Sequence, residues 1–376
     1  MKKLLIATDN FLPRWDGIAR FLSEIIPKLS KDYEITVLAP HLKGYEHGHM
    51  EFENAVVHRF DTLNFKIGDF PPAIPDPKKV RAYVREADIV WIQTIGPIGS
   101  SAAKWARKME KPLIAFTHSI EWELVSNAIG GFFLTKNALK FIAKRFAKRI
   151  YNKCDLLIVP SQDTAKKMRK AGIKTVMKQV SLGIDTDKFR YSERKAVKES
   201  IGIDPNNIVV GYIGRLGREK DLVTLYRAFV QLTYKYKNII LLVVGEGVES
   251  IKAMFRRKEM VYFGQKSDVE RYYQATDIYV LPSLTETTSL TTMEAMASGC
   301  AVLTTKTGAI PSYLIDKYNG MFFPKRNLYI LRKKLEMLIE NGQLRAKLGE
   351  NARNTIKAHY SWDRTVEEIK DVLKVY

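Results

Sequence analysis

The sequence predicts an α/β protein made of two Rossmann-like domains, each a parallel sheet covered by helices on both faces. Three observations lead there. Short, wholly apolar runs alternate with amphipathic stretches along the chain, the pattern of strands buried on both faces. The alternation pauses near residues 180–205 and then restarts. The length of 376 residues also exceeds what one ordinary core organises.

The first series of strands is read at 4–8, 34–39, 89–92, 113–116 and 156–159, with helices at 17–31, 78–86, 99–109, 136–152 and 161–171. Met1-Lys-Lys-Leu-Leu-Ile is basic and then apolar, but the run is too short for a secretory leader and meets Asp9 at once. It reads as a first buried strand. The prolines at 71, 72, 75 and 77 mark an extended surface loop. The second series has strands at 208–213, 239–244, 261–263, 278–281 and 301–304. The expected divisions are 1–190, 191–358 and a terminal helix over 359–376. Ligands of such sheets bind at the carboxyl ends of the strands, so two facing domains would share a cleft.

Apolar residues make up 46% of the chain, which suits a folded core, and no run is long enough to cross a membrane. Cys154 and Cys300 lie in apolar surroundings without metal-ligand spacing, as expected of buried free thiols in a reducing compartment. The net charge is +20, with 30 Lys and Arg against 18 Asp and Glu in residues 1–180 and 31 against 23 thereafter. An excess of this size implies an anionic partner.

The most telling stretch runs from Pro282 to Gly299. Glu286 falls in a polar loop just after the 278–281 strand, and Glu294 falls inside a helix that starts near Ser289. A helix N-terminus presents unbonded amides, which favour anions and ligand oxygens. Two carboxylates can then accept hydrogen bonds from two hydroxyl-bearing parts of one ligand. The Glu-x7-Glu spacing followed by Ala-Met-Ala-Ser-Gly resembles the retaining glycosyltransferases of family 4. That resemblance implies the GT-B fold, a terminal helix crossing back onto the first domain, and a nucleotide-sugar substrate.

Other segments extend the resemblance over most of residues 1–325. Gly211 to Asp221 is similar to the family's Gly-Arg-Leu-x-x-Glu-Lys-Gly motif, with Asp221 in place of the last glycine. Arg215 offers a fork of donors and Lys220 a point charge for a diphosphate. Gly245 resembles a family glycine that lets the chain pass close to the ligand or to Glu286. Gln265 lies where the family meets the nucleotide base. His118 matches a histidine that contacts the donor sugar. The resemblance thus implies catalytic roles for His118, Arg215, Lys220 and Glu286, and donor binding by Gly17, Gly245, Gln265, Thr287, Thr288, Ser289, Leu290 and Glu294. Thr287-Thr288-Ser289 replaces the family's Gly-Phe-Gly, so the sugar identity stays open. Asp16 replaces the first glycine of a Gly-Gly pair, and either binds the acceptor or caps the next helix. Asp185-Thr-Asp187 sits in a segment similar to the family's interdomain connection, so Asp185 is read as structural. No metal and no cofactor is expected.

Residues 136–153 carry seven cations and no acid. Lys136, Lys140, Lys144 and Lys148 recur every four residues, flanked by Arg145 and Arg149, and Leu139, Ile142, Phe146 and Ile150 form a stripe on another face. With Phe132 and Phe133 just before it, this basic helix suits an anionic bilayer. The expectation is an enzyme at the cytoplasmic face of a membrane, peripherally bound, moving a sugar to a lipid or lipid-linked acceptor, with no nucleic-acid partner. The alternatives are a soluble sugar acceptor, or a noncatalytic polyanion-binding protein on the same scaffold.

Overall fold

The computed structural model describes residues 1–14, 16–42, 52–65, 71–123 and 133–376. The chain divides into two compact units, one of residues 1–182 with 362–376 and one of residues 183–361.

The first unit is a seven-stranded, all-parallel sheet. Its strands are β1 (Lys2–Ala7), β2 (Tyr33–Pro40), β3 (Ala55–Phe60), β4 (Ile89–Ile92), β5 (Leu113–Phe116), β6 (Leu156–Val159) and β7 (Met177–Gln179), in the order β3-β2-β1-β4-β5-β6-β7. Leu4 of central β1 pairs with Ile35 on one side and Ile89 on the other. Strands β4, β5 and β6 are buried along their whole length, as parallel strands sandwiched between helices must be. Each Leu, Ile or Val so enclosed contributes about 1.5–3 kcal/mol.

The helices of this unit are α1 (Gly17–Leu29), α2 (Pro77–Glu86), α3 (Pro97–Lys108), α4 (Phe133–Tyr151) and α5 (Gln162–Lys170). Their starts are written in the sequence. Asp76 accepts from the Lys78 amide with Pro77 at the first helical position, and Ser161 accepts from the Thr164 amide. The terminal helix, Trp362–Leu373, belongs to this unit. Lys28 pairs with Asp363 at 2.6 Å, Lys370 with Asp32 at 2.8 Å, and Thr365 donates to the Ser181 carbonyl at 2.8 Å.

The second unit is a six-stranded parallel sheet with strands β8 (Ile208–Ile213), β9 (Ile239–Val244), β10 (Met260–Phe263), β11 (Ile278–Leu281), β12 (Ala301–Thr305) and β13 (Met321–Phe323), in the order β10-β9-β8-β11-β12-β13. Its helices are α6 (Arg194–Ser200), α7 (Leu222–Thr233), α8 (Glu249–Lys252), α9 (Val269–Ala275), α10 (Leu290–Ala297), α11 (Ile310–Tyr313), α12 (Leu328–Glu340) and α13 (Gly342–His359). Arg194 ties two helix ends together, donating to the Gln274 carbonyl at 3.0 Å and to the Gly299 carbonyl at 2.5 Å.

Three strands escape the sequence reading. β3 is a half-exposed edge strand carrying His58 and Arg59, and β7 and β13 have three residues each, too few to show a period. Asp185 builds a turn, its carboxylate accepting from the amides of Asp187 and Lys188 at 3.0 and 2.9 Å. Cys154 and Cys300 are buried free thiols, and burial pushes them up to about 12 and about 11. No described helix is long and apolar enough to cross a membrane.

Candidate active site

In the second unit the parallel sheet brings several predicted residues to one edge, because every strand delivers its carboxyl end to the same side. Arg215 follows β8, Gly245 follows β9, Gln265 follows β10 and Glu286 follows β11. Lys220 Nζ meets Glu286 Oε1 at 2.6 Å, with both side chains largely buried. Arg215 is half-exposed and meets Glu219 Oε1 at 2.5 Å. The Glu219 carbonyl accepts the Leu284 amide at 2.8 Å, which fastens the Arg215–Lys220 turn to the Glu286 loop.

The backbone explains two departures from the family pattern. Asp221 lies at φ 49, ψ 43, the left-handed region where the family's glycine would sit without strain. Aspartate is among the few other residues that visit it. Ser289 lies at φ 61, ψ 71 at the start of α10, and no side chain caps that helix. A serine held in this conformation is strained. Gly245 is required by packing. Its φ is +137, and a Cβ there would fall 2.1 Å from the Gly214 carbonyl oxygen. Its close neighbour is thus the Gly214 backbone.

Thr288 and Ser289 are buried, Thr287 and Leu290 partly so, and Gln265 is exposed. Glu294 is buried inside α10, where the Tyr273 hydroxyl donates to its Oε2 at 2.6 Å. Tyr273 was not legible as a partner, since nothing in sequence links residues 21 positions apart.

At the carboxyl edge of the first sheet, Asp16 resolves as a helix cap. It accepts from the Ile18 and Ala19 amides at 2.9 and 3.0 Å. A Cβ on Gly17 would meet nothing within 4 Å, so packing does not demand glycine there. Asp9, read in the sequence only as the end of the first apolar run, caps α3 in the same manner. It accepts from the Ile98 amide at 2.7 Å and the Gly99 amide at 3.2 Å, and burial raises its pKa. His118 stacks on Phe116 with ring centres 4.3 Å apart and lies 2.7 Å from Gln93 Oε1. Burial pushes its pKa down to about 3, so the ring is neutral at pH 7 and acts as a hydrogen-bonding group, not a cation. Glu121, three residues on, is pushed up to about 7 by burial and accepts from the Tyr151 hydroxyl.

On α4 the side chains of residues 133–136, Phe133 and Lys136 included, and the whole of Phe132 lie outside the described residues. Beyond them the expected stripe divides, with Ile142 and Phe146 exposed, Leu139 partly buried and Ile150 buried. The helix's buried edge runs through Ala147, Ile150 and Tyr151, while Phe141, Ile142 and Phe146 are 66%, 62% and 47% exposed. Lys140, Arg145, Lys148 and Arg149 are exposed around them, and Lys144 partly so.

Two parallel sheets, with a loop glutamate and a helix glutamate in the second unit, agree with the glycosyltransferase family that the sequence resembles. Residues 15–188 match the model of Glycosyltransferase Family 4, and residues 193–355 match that of Glycosyl transferases group 1. The chain belongs to the family 4 glycosyltransferases, with the GT-B fold. It is 27% identical to an uncharacterized glycosyltransferase of Methanocaldococcus jannaschii over 99% of this chain and 98% of that one. It is 26% identical to the alpha-monoglucosyldiacylglycerol synthase of Acholeplasma laidlawii over 74% and 75% of the two chains. The crystal structure of Anabaena HepE in complex with UDP-glucose superposes over the full length of both chains with a TM-score of 0.80 at 19% identity.

Proposed function

We propose that this glycosyltransferase moves a sugar from a UDP-sugar to a lipid or lipid-linked acceptor at an anionic membrane surface, retaining the anomeric configuration and using no metal ion. The observation that carries the donor half is the Lys220–Glu286 pair, set beside the uncapped start of α10. In this reading Arg215 and Lys220 bind the diphosphate and offset the charge that develops as it leaves. Glu286 accepts from sugar hydroxyls, Glu294 from the ribose, and His118 bonds a sugar hydroxyl. Gln265 lies against the base. The acceptor hydroxyl attacks from the face the diphosphate leaves, through an oxocarbenium-like state. The new glycosidic bond forms as the sugar–phosphate bond breaks, and the departing phosphate oxygen takes the acceptor's proton. HepE supports the donor class, since it is seen with UDP-glucose.

The acceptor half rests on α4. Exposed Phe141, Ile142 and Phe146 amid cations form a face that enters a headgroup layer while its charges meet anionic lipid. The relative from Acholeplasma is named for a glucosyldiacylglycerol product, which supports a lipid acceptor. The protein would then sit peripherally at the cytoplasmic face.

Donor turnover with UDP- and GDP-sugars, with and without EDTA, tests the chemistry. An inverted product or complete loss in EDTA overturns it. Co-sedimentation with phosphatidylglycerol vesicles tests the docking. Each cation near the surface contributes about 1 kcal/mol, so neutralising Lys140, Lys144 and Lys148 together releases the protein, and added salt weakens parent binding likewise. Equal binding of the triple variant and the parent makes α4 a solvated face and moves a soluble acceptor ahead.

A further inference from the structure

The loop that carries Glu286 is held from behind by one short stretch, residues 305–313. Thr305 Oγ1 donates to the Ser283 carbonyl at 2.5 Å, and the Ala309 amide donates to the Thr287 carbonyl at 2.6 Å. The Tyr313 hydroxyl, buried, lies 2.7 Å from the Thr288 carbonyl and 3.3 Å from that of Ser289. Gly308, at φ +54, lets the two segments touch, since a Cβ there would fall 2.4 Å from the carbonyl oxygens of Glu286 and Thr287.

A trans peptide points its carbonyl and the next amide in opposite directions. Drawing the carbonyls of 287, 288 and 289 toward residues 309–313 therefore turns the amides of Thr288, Ser289 and Leu290 to the other side. Among the described residues, none accepts a hydrogen bond from those three amides. Ser289 also holds a left-handed conformation that serine seldom adopts unaided.

We infer that Tyr313 is a positioning residue for the donor sugar: its hydroxyl fixes the carbonyls of Thr288 and Ser289 so that the amides of 288–290 face the sugar oxygens. This rests on the proposed transferase reading. Tyr313 touches no substrate and acts through the loop.

The test uses Tyr313→Phe in the full chain, which removes one oxygen and keeps the ring. With UDP-glucose, KM rises by roughly tenfold, as for one or two lost hydrogen bonds. The Kd for UDP stays within about twofold, because UDP lacks the sugar that the loop would meet. Adding Ser289→Gly to Tyr313→Phe restores most of the loss, since glycine adopts this φ without restraint. An unchanged KM, an equal loss for UDP, or no rescue by glycine overturns the inference. Hydrogen exchange supplies a readout that needs no donor. The amides of Thr292 and Met293 donate to the Ser289 carbonyl at 3.1 and 3.3 Å. They exchange faster in Tyr313→Phe than in the parent, while Leu303 and Thr304 in β12 do not change. Equal exchange at 292 and 293 also overturns it. A parent that binds neither UDP-glucose nor UDP defeats the transferase reading itself, and exchange still decides the clamp.

Discussion

In both units a first parallel strand runs through a loop into a helix, β1 into α1 and β8 into α7, and the two loops handle charge in opposite ways. After β1 the carboxylates are consumed by the fold. Asp16 satisfies the first amides of α1, and Asp9 satisfies those of α3. A helix start already occupied by a carboxylate repels a second anion. After β8 the loop carries cations instead, Arg215 and Lys220. The Asp221 side chain accepts from Thr224 Oγ1 at 2.7 Å and caps no amide of α7. The start of α10 is likewise uncapped by a side chain. The same topology therefore gives one edge suited to a diphosphate and one that is not. In the proposed reading, which edge takes the nucleotide is set by a few capping residues, not by the sheet.

The largest expected effect breaks this contrast on the cationic side. Arg215→Ala and Lys220→Ala each weaken UDP binding by about 1.5–3 kcal/mol, the cost of losing a hydrogen bond to a charged group. Titration calorimetry checks it, and unchanged affinity in both variants rejects the assignment. Lys220→Ala also leaves Glu286 without its 2.6 Å partner, so its loss should be the more severe for turnover.

A smaller effect sharpens the other side. Asp16→Ala removes two amide bonds from the start of α1 and lowers stability by about 1 kcal/mol. Urea unfolding followed at the first unit reads it, and UDP affinity should not move. A drop in UDP affinity with no loss of stability would assign Asp16 to ligand binding instead.

The last effect appears only at acid pH. His118 has its folded pKa pushed below its unfolded value of about 6.5 by burial. Between pH 6.5 and about 3 the unfolded chain binds the extra proton, so the stability that neutral His118 allows is lost as pH falls through that window. His118→Gln should flatten the stability profile there, and parallel profiles for variant and parent would show that the ring is not held neutral by its surroundings. Above pH 7 the two should respond alike.

The sequence by itself determined the parallel α/β architecture, because strands such as Ile89–Ile92 and Ile278–Leu281 are apolar at every position and only a doubly covered sheet hides both faces. It also determined the charged residues at the strand ends and the seven cations of residues 136–153, which are properties of residue type and spacing. The short strands β7 and β13 were not legible, since three residues carry no period and exist only through their neighbours' hydrogen bonds. Which face of α4 is exposed was also hidden. The stripe of Leu139, Ile142, Phe146 and Ile150 reads as one continuous face, and only the packed unit shows that Ile150 is covered while Phe141, Ile142 and Phe146 are not. The roles of Asp9, Tyr273 and Tyr313 likewise belong to tertiary structure. Asp9 meets an amide 89 residues away and Tyr313 a carbonyl 25 residues away, distances that folding closes and that no local pattern records.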